Sequence, residues 1–97
     1  HITGGGFYEN IPRMLPENIS AKVKKGSFEI PPIFALMQRC GNLEEKMMYN
    51  TYNMGLGMVL AVDAADADQT VAALGKAGEK AWVVGEAAAG GHEVMFV

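Results

Sequence analysis

Two apolar rhythms alternate along this chain, and together they restrict it to a layered fold. After Pro31-Pro32, residues Ile33, Leu36, Met37 and Cys40 recur at i, i+3, i+4 and i+7, with Gly41 just beyond. That pattern predicts an amphipathic helix entered through prolines and stopped by a glycine. Asn42-Leu43-Glu44-Glu45 offers a capping residue with an acid three positions on, so a second helix is expected to begin there and carry Met47 and Met48 inward. Met54-Gly55-Leu56-Gly57-Met58-Val59-Leu60-Ala61-Val62 differs: a glycine pair leads into an apolar run rich in strand formers and too short for a typical helix. It predicts a central strand buried on both faces. Asp63 or Asp66 is placed to cap a further helix through Ala67, Val71 and Leu74, with Gly78 as its stop. Ala81 to Ala88 and Glu93 to Val97 read as two strands joined at Gly90-Gly91, a hairpin. In Ala21-Lys22-Val23-Lys24-Lys25 the lysines at 22 and 24 alternate with Val23, marking the wet face of one more strand. Strands interleaved with helices imply an α+β (layered α/β) domain, a mixed sheet covered by helices. No repeat, low-complexity tract or linker divides it.

Ninety-seven residues, 49% of them hydrophobic, suffice for one domain with a modest core, so any missing neighbour would matter. The sequence starts at His1 without an initiator methionine or signal sequence, and its most chemically loaded motif stands at that end. The expectation is a partial domain over residues 1–97, lacking an upstream segment. Cys40 is the single cysteine, which excludes an internal disulfide and any multi-cysteine metal site. A reducing, cytoplasmic setting is then the default, with the thiol expected as a small buried hydrophobe. A formal charge of −3, with no basic stripe interleaved with aromatics, argues against a nucleic-acid partner. No apolar run approaches the roughly 18 residues of a membrane span.

The chemistry concentrates in His1-Ile2-Thr3-Gly4-Gly5-Gly6-Phe7-Tyr8-Glu9-Asn10-Ile11-Pro12-Arg13. Three adjacent glycines reach backbone angles closed to other residues and present bare N–H groups, as an anion-binding loop requires; a tight structural turn has the same composition. Pro12 has no N–H and is tolerated only in the first turn of a helix, so Asn10 is placed as the cap of a short turn with Arg13 projecting from it. The guanidinium would add bidentate contacts to phosphate oxygens, or would pair with Glu9 instead. Asn53-Met54-Gly55-Leu56-Gly57 is the second candidate, its glycines spaced either for close approach of a ligand or for a bend or bulge. Lacking a third glycine and lying before a strand, it is not a dinucleotide fingerprint. No catalytic constellation and no metal-ligand spacing follow: His1 is terminal, and His92 after its glycine turn is expected in solvent. Asp63, Asp66 and Asp68 read as capping and first-turn acids.

Four motifs in order carry a resemblance. His1 to Gly6, Glu9 to Arg13, Asn53 to Met58 and Gly78-Glu79-Lys80-Ala81-Trp82-Val83-Val84-Gly85 resemble, in order and approximate spacing, the C-terminal portion of the phosphoribosylformylglycinamidine cyclo-ligase (aminoimidazole ribonucleotide synthetase) family. The likeness covers essentially the whole chain and sets it apart from looser relatives such as thiamine-monophosphate kinase and selenide water dikinase. It implies a longer, homodimeric enzyme of purine synthesis with an N-terminal ATP-binding domain absent from residues 1–97. That enzyme uses ATP and Mg to phosphorylate the amide oxygen of formylglycinamidine ribonucleotide, after which an internal nitrogen closes the imidazole ring. Carried over, Thr3, Gly4, Gly5, Gly6, Asn10 and Arg13 would line an interdomain cleft near substrate or nucleotide phosphates, and Asn53, Gly55 and Gly57 would shape that cleft or the fold. The resemblance assigns the magnesium site and most nucleotide contacts to the absent domain. It leaves this chain without tight binding of ATP or Mg and without activity alone. The other expectation is a non-catalytic α/β module that self-associates or binds a partner through unpaired strand edges.

Overall fold

The sheet is organised by its shortest-range alternation. In β1 (Ile19–Val23), Ala21 and Val23 are buried on one face, and on the other Ser20 is fully buried while Lys22 is half-buried. The computed structural model, which describes all 97 residues, makes β1 the middle of three strands. β2 (Gly85–Ala89) runs antiparallel to it with Val23 opposite Gly85 and Ile19 opposite Ala89. β3 (Val94–Phe96) runs parallel on the other side with Ala21 opposite Val94. The sheet is therefore mixed and the fold α+β, as the patterning predicts, and Lys24 is exposed and Lys22 half-buried, in keeping with a wet face.

The hairpin is not formed. β2 and β3 flank β1 instead of pairing, and residues 90–93 cross over its start. Gly90 N–H donates to the Asn18 carbonyl at 3.0 Å, and Glu93 N–H donates to Ser20 Oγ at 3.2 Å. Both bonds tie the link to β1, and a Cβ on Gly90 would run into Ser20 Oγ, so the glycine serves a crossing and not a tight turn. β2 also starts later than the apolar pattern suggests, with residues 81–84 outside the ladder.

α1 (Gly6–Asn10) and α3 (Glu45–Thr51) pack on each other and reach the sheet through Phe7 and Tyr49, whose rings meet Phe96 of β3. Phe7, fully buried, meets Phe28 at 5.9 Å, Tyr49 edge-on at 5.1 Å and Phe96 at 5.8 Å between ring centroids. Burying such a ring contributes about 2–3 kcal/mol, and each well-placed aromatic pair adds about 0.5–1.5 kcal/mol. Ile2, Ile11, Met48, Met54, Leu56 and Val94 close the core around it.

Three helix readings need correction in their faces. α2 (Pro32–Gly41) occupies its expected span, yet Ile33 and Leu36 are about half exposed and Cys40 is exposed, because no element packs over that stripe. Asn42 does not cap the next helix: at φ 50° it terminates α2 in the left-handed region, with Leu43 N–H returning to the Gln38 carbonyl at 3.0 Å. α3 consequently begins at Glu45, which turns Met48 inward and leaves Met47 outside. α4 (Ala67–Lys76) follows a 3-10 turn over Ala64–Asp66, and neither Asp63 nor Asp66 makes a side-chain capping bond. Gly78, at φ 91°, ends the helix as expected, but no residue of α4 is buried.

The central-strand reading of Met54–Val62 also fails. Residues 54–55 form a turn, residues 56–63 are irregular, and Met58, Leu60 and Val62 are exposed by 62%, 53% and 48%. A strand exists only where a neighbour completes its ladder, and Met58 to Val62 make no hydrogen bond within the chain. The accessible surface, 6430 Å², exceeds the roughly 5400 Å² of a compact monomer of this mass by about 1000 Å². No helix is long and apolar enough to cross a membrane.

Replacing Phe7 with Ala removes the ring that joins helices to sheet and is expected to cost about 3–5 kcal/mol in urea unfolding, with Phe7→Leu costing visibly less. Alkali should act on the same junction. Burial raises the Tyr49 phenol above its ordinary 10.0, and its hydrogen bond and charge contact with Glu45 raise Lys25 above 10.5. Groups raised in the folded state contribute stability that is full below the unfolded value and lost as pH climbs through the folded one. The urea midpoint should therefore hold to about pH 9 and fall beyond about pH 10.

Candidate functional site

The three opening glycines do three different things. Gly4 is exposed, with open space where a Cβ would be. Gly5 stands at φ 95° as the residue before α1, and Gly6, at φ 61°, is pressed so closely on the Tyr49 carbonyl that a Cβ would overlap it. Gly6 N–H closes a turn onto the Thr3 carbonyl at 3.1 Å, whereas the N–H groups of Gly4 and Gly5 make no bond within the chain. Two amides just before the first turn of α1 thus remain without a partner inside the chain.

Asn10 fixes this shape. Its Nδ2 donates to the carbonyls of Gly6 at 2.8 Å, Thr3 at 3.1 Å and Gly4 at 3.2 Å, and its Oδ1 accepts from Thr3 Oγ1 at 3.3 Å and Arg13 Nη1 at 3.4 Å. The side chain is buried and spends its donors inside the loop. Pro12 opens the last turn of this segment, a 3-10 turn over Ile11–Met14, and Arg13 emerges from it exposed. Arg13 does not pair with Glu9; the ion pairs in the molecule are Lys25–Glu45 at 2.5 Å and Lys80–Glu29 at 3.7 Å. Thr3, Asn10 and Arg13 line an open groove of about 370 Å³ together with Ile2, Ile11 and Val59. The guanidinium at that groove has no carboxylate to neutralise it, so an anion there meets an uncompensated positive charge.

The second glycine motif divides. Asn53 Oδ1 accepts from Gly55 N–H at 2.9 Å, Met54 sits at φ 52°, and a Cβ on Gly55, at φ 99°, would meet the ring of Pro31. Asn53 and Gly55 build a bend against the entry of α2. Gly57 instead reaches the opening loop, its carbonyl accepting from Ile2 N–H at 2.9 Å, and Val59 two residues on joins the groove wall. The structure thus brings the first motif and the end of the second to one place.

The expectation that His92 lies free in solvent is also corrected. Half-buried, it points Nε2 at the carbonyls of Pro12 and Leu15, 2.6 and 3.0 Å away, directly behind the Arg13 turn. Only its position after two glycines hints at an unusual backbone there, and φ is 62°. No three His, Cys, Asp or Glu side chains gather where a metal ion could be held.

Residues 1–97 match the family described as AIR synthase related protein, C-terminal domain. The chain belongs to that family. It is 66% identical over 86 residues to a phosphoribosylformylglycinamidine cyclo-ligase from Lachnoclostridium phytofermentans, an overlap of 89% of this chain and 25% of that protein. It is 59% identical over 90 residues to one from Lachnospira eligens, covering 93% of this chain and 26% of the relative. A third, from a strain of Bacillus cereus, is 58% identical over 90 residues, again covering 93% of this chain and 26% of the relative. The chain therefore spans about a quarter of the length of the curated relatives it matches.

For this member of the family the triple glycine separates by substitution. Gly4→Ala should change unfolding free energy by less than about 1 kcal/mol, while Gly6→Ala should cost about 3 kcal/mol or more through backbone collision. Asn10→Asp, which turns an acceptor toward three carbonyls, should cost about 2–3 kcal/mol, read from the urea midpoint.

Proposed function

We propose that this chain is the later part of the C-terminal α/β domain of a phosphoribosylformylglycinamidine cyclo-ligase, and that it supplies the phosphate-facing wall of an interdomain cleft. The observation that carries the reading is a groove lined by Thr3, Asn10 and an Arg13 with no carboxylate partner, next in sequence to the unbonded amides of Gly4 and Gly5, in a chain whose family match runs from end to end. A phosphate group fits that donor set, since amides and guanidinium both offer hydrogens to its oxygens. A magnesium ion does not fit it, because no carboxylate stands in the groove wall.

By resemblance to the family, the metal ligands and most nucleotide contacts belong to an N-terminal ATP-binding domain of the longer protein. In the parent, a cytoplasmic homodimer on this reading, ATP with magnesium supplies the phosphoryl group that activates the amide oxygen of formylglycinamidine ribonucleotide before ring closure to aminoimidazole ribonucleotide. This chain's part is to hold a phosphate: Arg13 neutralises charge, the amides fix direction, and Asn10 keeps the loop from relaxing. Phosphoryl transfer needs phosphates, metal and acceptor positioned together, so one wall alone is inactive.

A second reading rests on a different observation. The excess of about 1000 Å² of surface, with Met58, Leu60, Val62, Ile33 and Leu36 exposed, is what a module that self-associates or binds a partner would present. Covering about 800 Å² per partner is the scale of a stable interface.

Titration of the chain with inorganic phosphate, followed by calorimetry or amide shifts, should give a dissociation constant on the order of 1 mM. Gly4 and Gly5 amides should respond, and Arg13→Gln should weaken binding at least about fivefold. Turnover of formylglycinamidine ribonucleotide and ATP by the purified 97-residue chain would sink the cleft-wall reading. Sedimentation should show association growing with concentration; a monomer throughout the accessible range removes the second reading.

A further inference from the structure

We propose that His92 is a positioning residue for Arg13, a clamp that fixes the direction in which the guanidinium faces the groove. Its importance for ligand binding rests on the reading of that groove as an anion site.

Residues 90–93 link β2 to β3, and His92 lies within that link at φ 62°, a left-handed conformation that costs a non-glycine residue about 1 kcal/mol or more. The strain places the imidazole where Nε2 meets the Pro12 carbonyl at 2.6 Å and the Leu15 carbonyl at 3.0 Å. Both partners are acceptors, so Nε2 carries the hydrogen and donates to the pair. Pro12 immediately precedes Arg13 and Leu15 follows it by two residues, so the clamp spans the arginine.

The turn it holds is intrinsically weak. A four-residue 3-10 turn has poor hydrogen-bond geometry, and Pro12 contributes no N–H to it. Leu15 N–H donates to the Pro12 carbonyl at 3.0 Å, the same oxygen that accepts from His92. His92 itself is held stiffly, because Gly90 before it bonds to Asn18 and Glu93 after it bonds to Ser20 Oγ on β1. The link between β2 and β3 is thereby coupled to the Arg13 turn through a ring nitrogen. Fixing a backbone and side chain before a ligand arrives removes ordering cost from the binding step, which is how a residue outside the groove alters affinity.

Three variants separate this role from ordinary stabilisation. His92→Gly suits φ 62° and relieves the strain, so the chain still folds, but the donor is gone. His92→Phe keeps a ring without the donor, and His92→Gln restores a donor at similar reach. Hydrogen exchange at the Leu15 amide and the heteronuclear NOE of the Arg13 Nε–H read the turn directly; titration with inorganic phosphate reads its consequence. In His92→Gly and His92→Phe, Leu15 exchange should rise about tenfold, the Arg13 NOE should fall, and phosphate affinity should drop about tenfold. Exchange in β1 should not change, and His92→Gln should return all three toward wild type.

Unchanged Leu15 exchange and Arg13 order in His92→Gly overturn the proposal, as does loosening that spreads equally to β1. A loosened turn with undiminished phosphate affinity overturns it as well. Failure of the wild-type chain to bind phosphate would instead defeat the anion reading of the groove, and the exchange and NOE data would still decide whether His92 fixes Arg13.

Discussion

The seat of α1 on α3 is the contact on which the rest of the structure depends. Gly6 lets the two backbones approach to a distance that no side chain would permit, and that approach drives Phe7 among Phe28, Tyr49 and Phe96. The steric demand and the apolar burial are adjacent in sequence, so one short segment both joins the helical layer to the sheet and starts the glycine loop. The loop inherits its rigidity from this seat. Asn10, one helical turn after Gly6, then spends its amide on the carbonyls of Thr3, Gly4 and Gly6 and so carries the order of the core outward to the groove.

Such an arrangement explains why the glycine cluster is not uniform in purpose. An anion loop needs free donors, a packed core needs close approach, and a single residue cannot satisfy both. Gly6 is consumed by packing and by its turn to Thr3, whereas Gly4 and Gly5 keep their amides. On the proposed reading Arg13 would supply the long-range attraction, but at an exposed position it acts in high dielectric, where an isolated charge contact is worth about 1 kcal/mol or less. Affinity at such a site depends on how little ordering remains to be done when the anion arrives. On the proposed reading, Asn10 from within and His92 from behind would do that ordering in advance.

Signals confined to a few neighbouring residues are legible in the sequence. The prolines and glycine delimiting α2, the stop at Gly78, the wet face at Lys22 and Lys24, and the special backbone of Gly4 to Gly6 all follow from covalent geometry and local periodicity. Errors arise where a second segment decides the outcome. Ala81 to Ala88 and Glu93 to Val97 have hairpin spacing, but β1 intervenes between them, and pairing partners are not written in spacing. Asn42 satisfies a capping pattern and a helix-terminating one equally well, and the left-handed end of α2 wins. The stripe containing Cys40 is apolar at helical period, yet burial needs a covering layer that the helix cannot supply for itself. The two glycines before His92 hint at its backbone, but its contacts are not legible, because its partners lie 80 and 77 positions away.

The Met58 to Val62 run joins the energetics of the fold to those of the groove. Its apolar composition fits a strand with neighbours on both faces, yet its backbone groups make no bond within the chain, leaving polar donors and exposed apolar side chains side by side in water. That state is disfavoured on both counts, since the backbone groups and the apolar side chains of Met58, Leu60 and Val62 gain little from folding. The run is nevertheless tethered at one end, where Gly57 accepts from Ile2, and Val59 forms part of the groove wall beside Arg13. Order in this segment and order at the groove wall are consequently one physical problem. A contact that completed the ladder of residues 58–62 would stiffen the groove through Val59 and Ile2 without touching a single polar group of the loop.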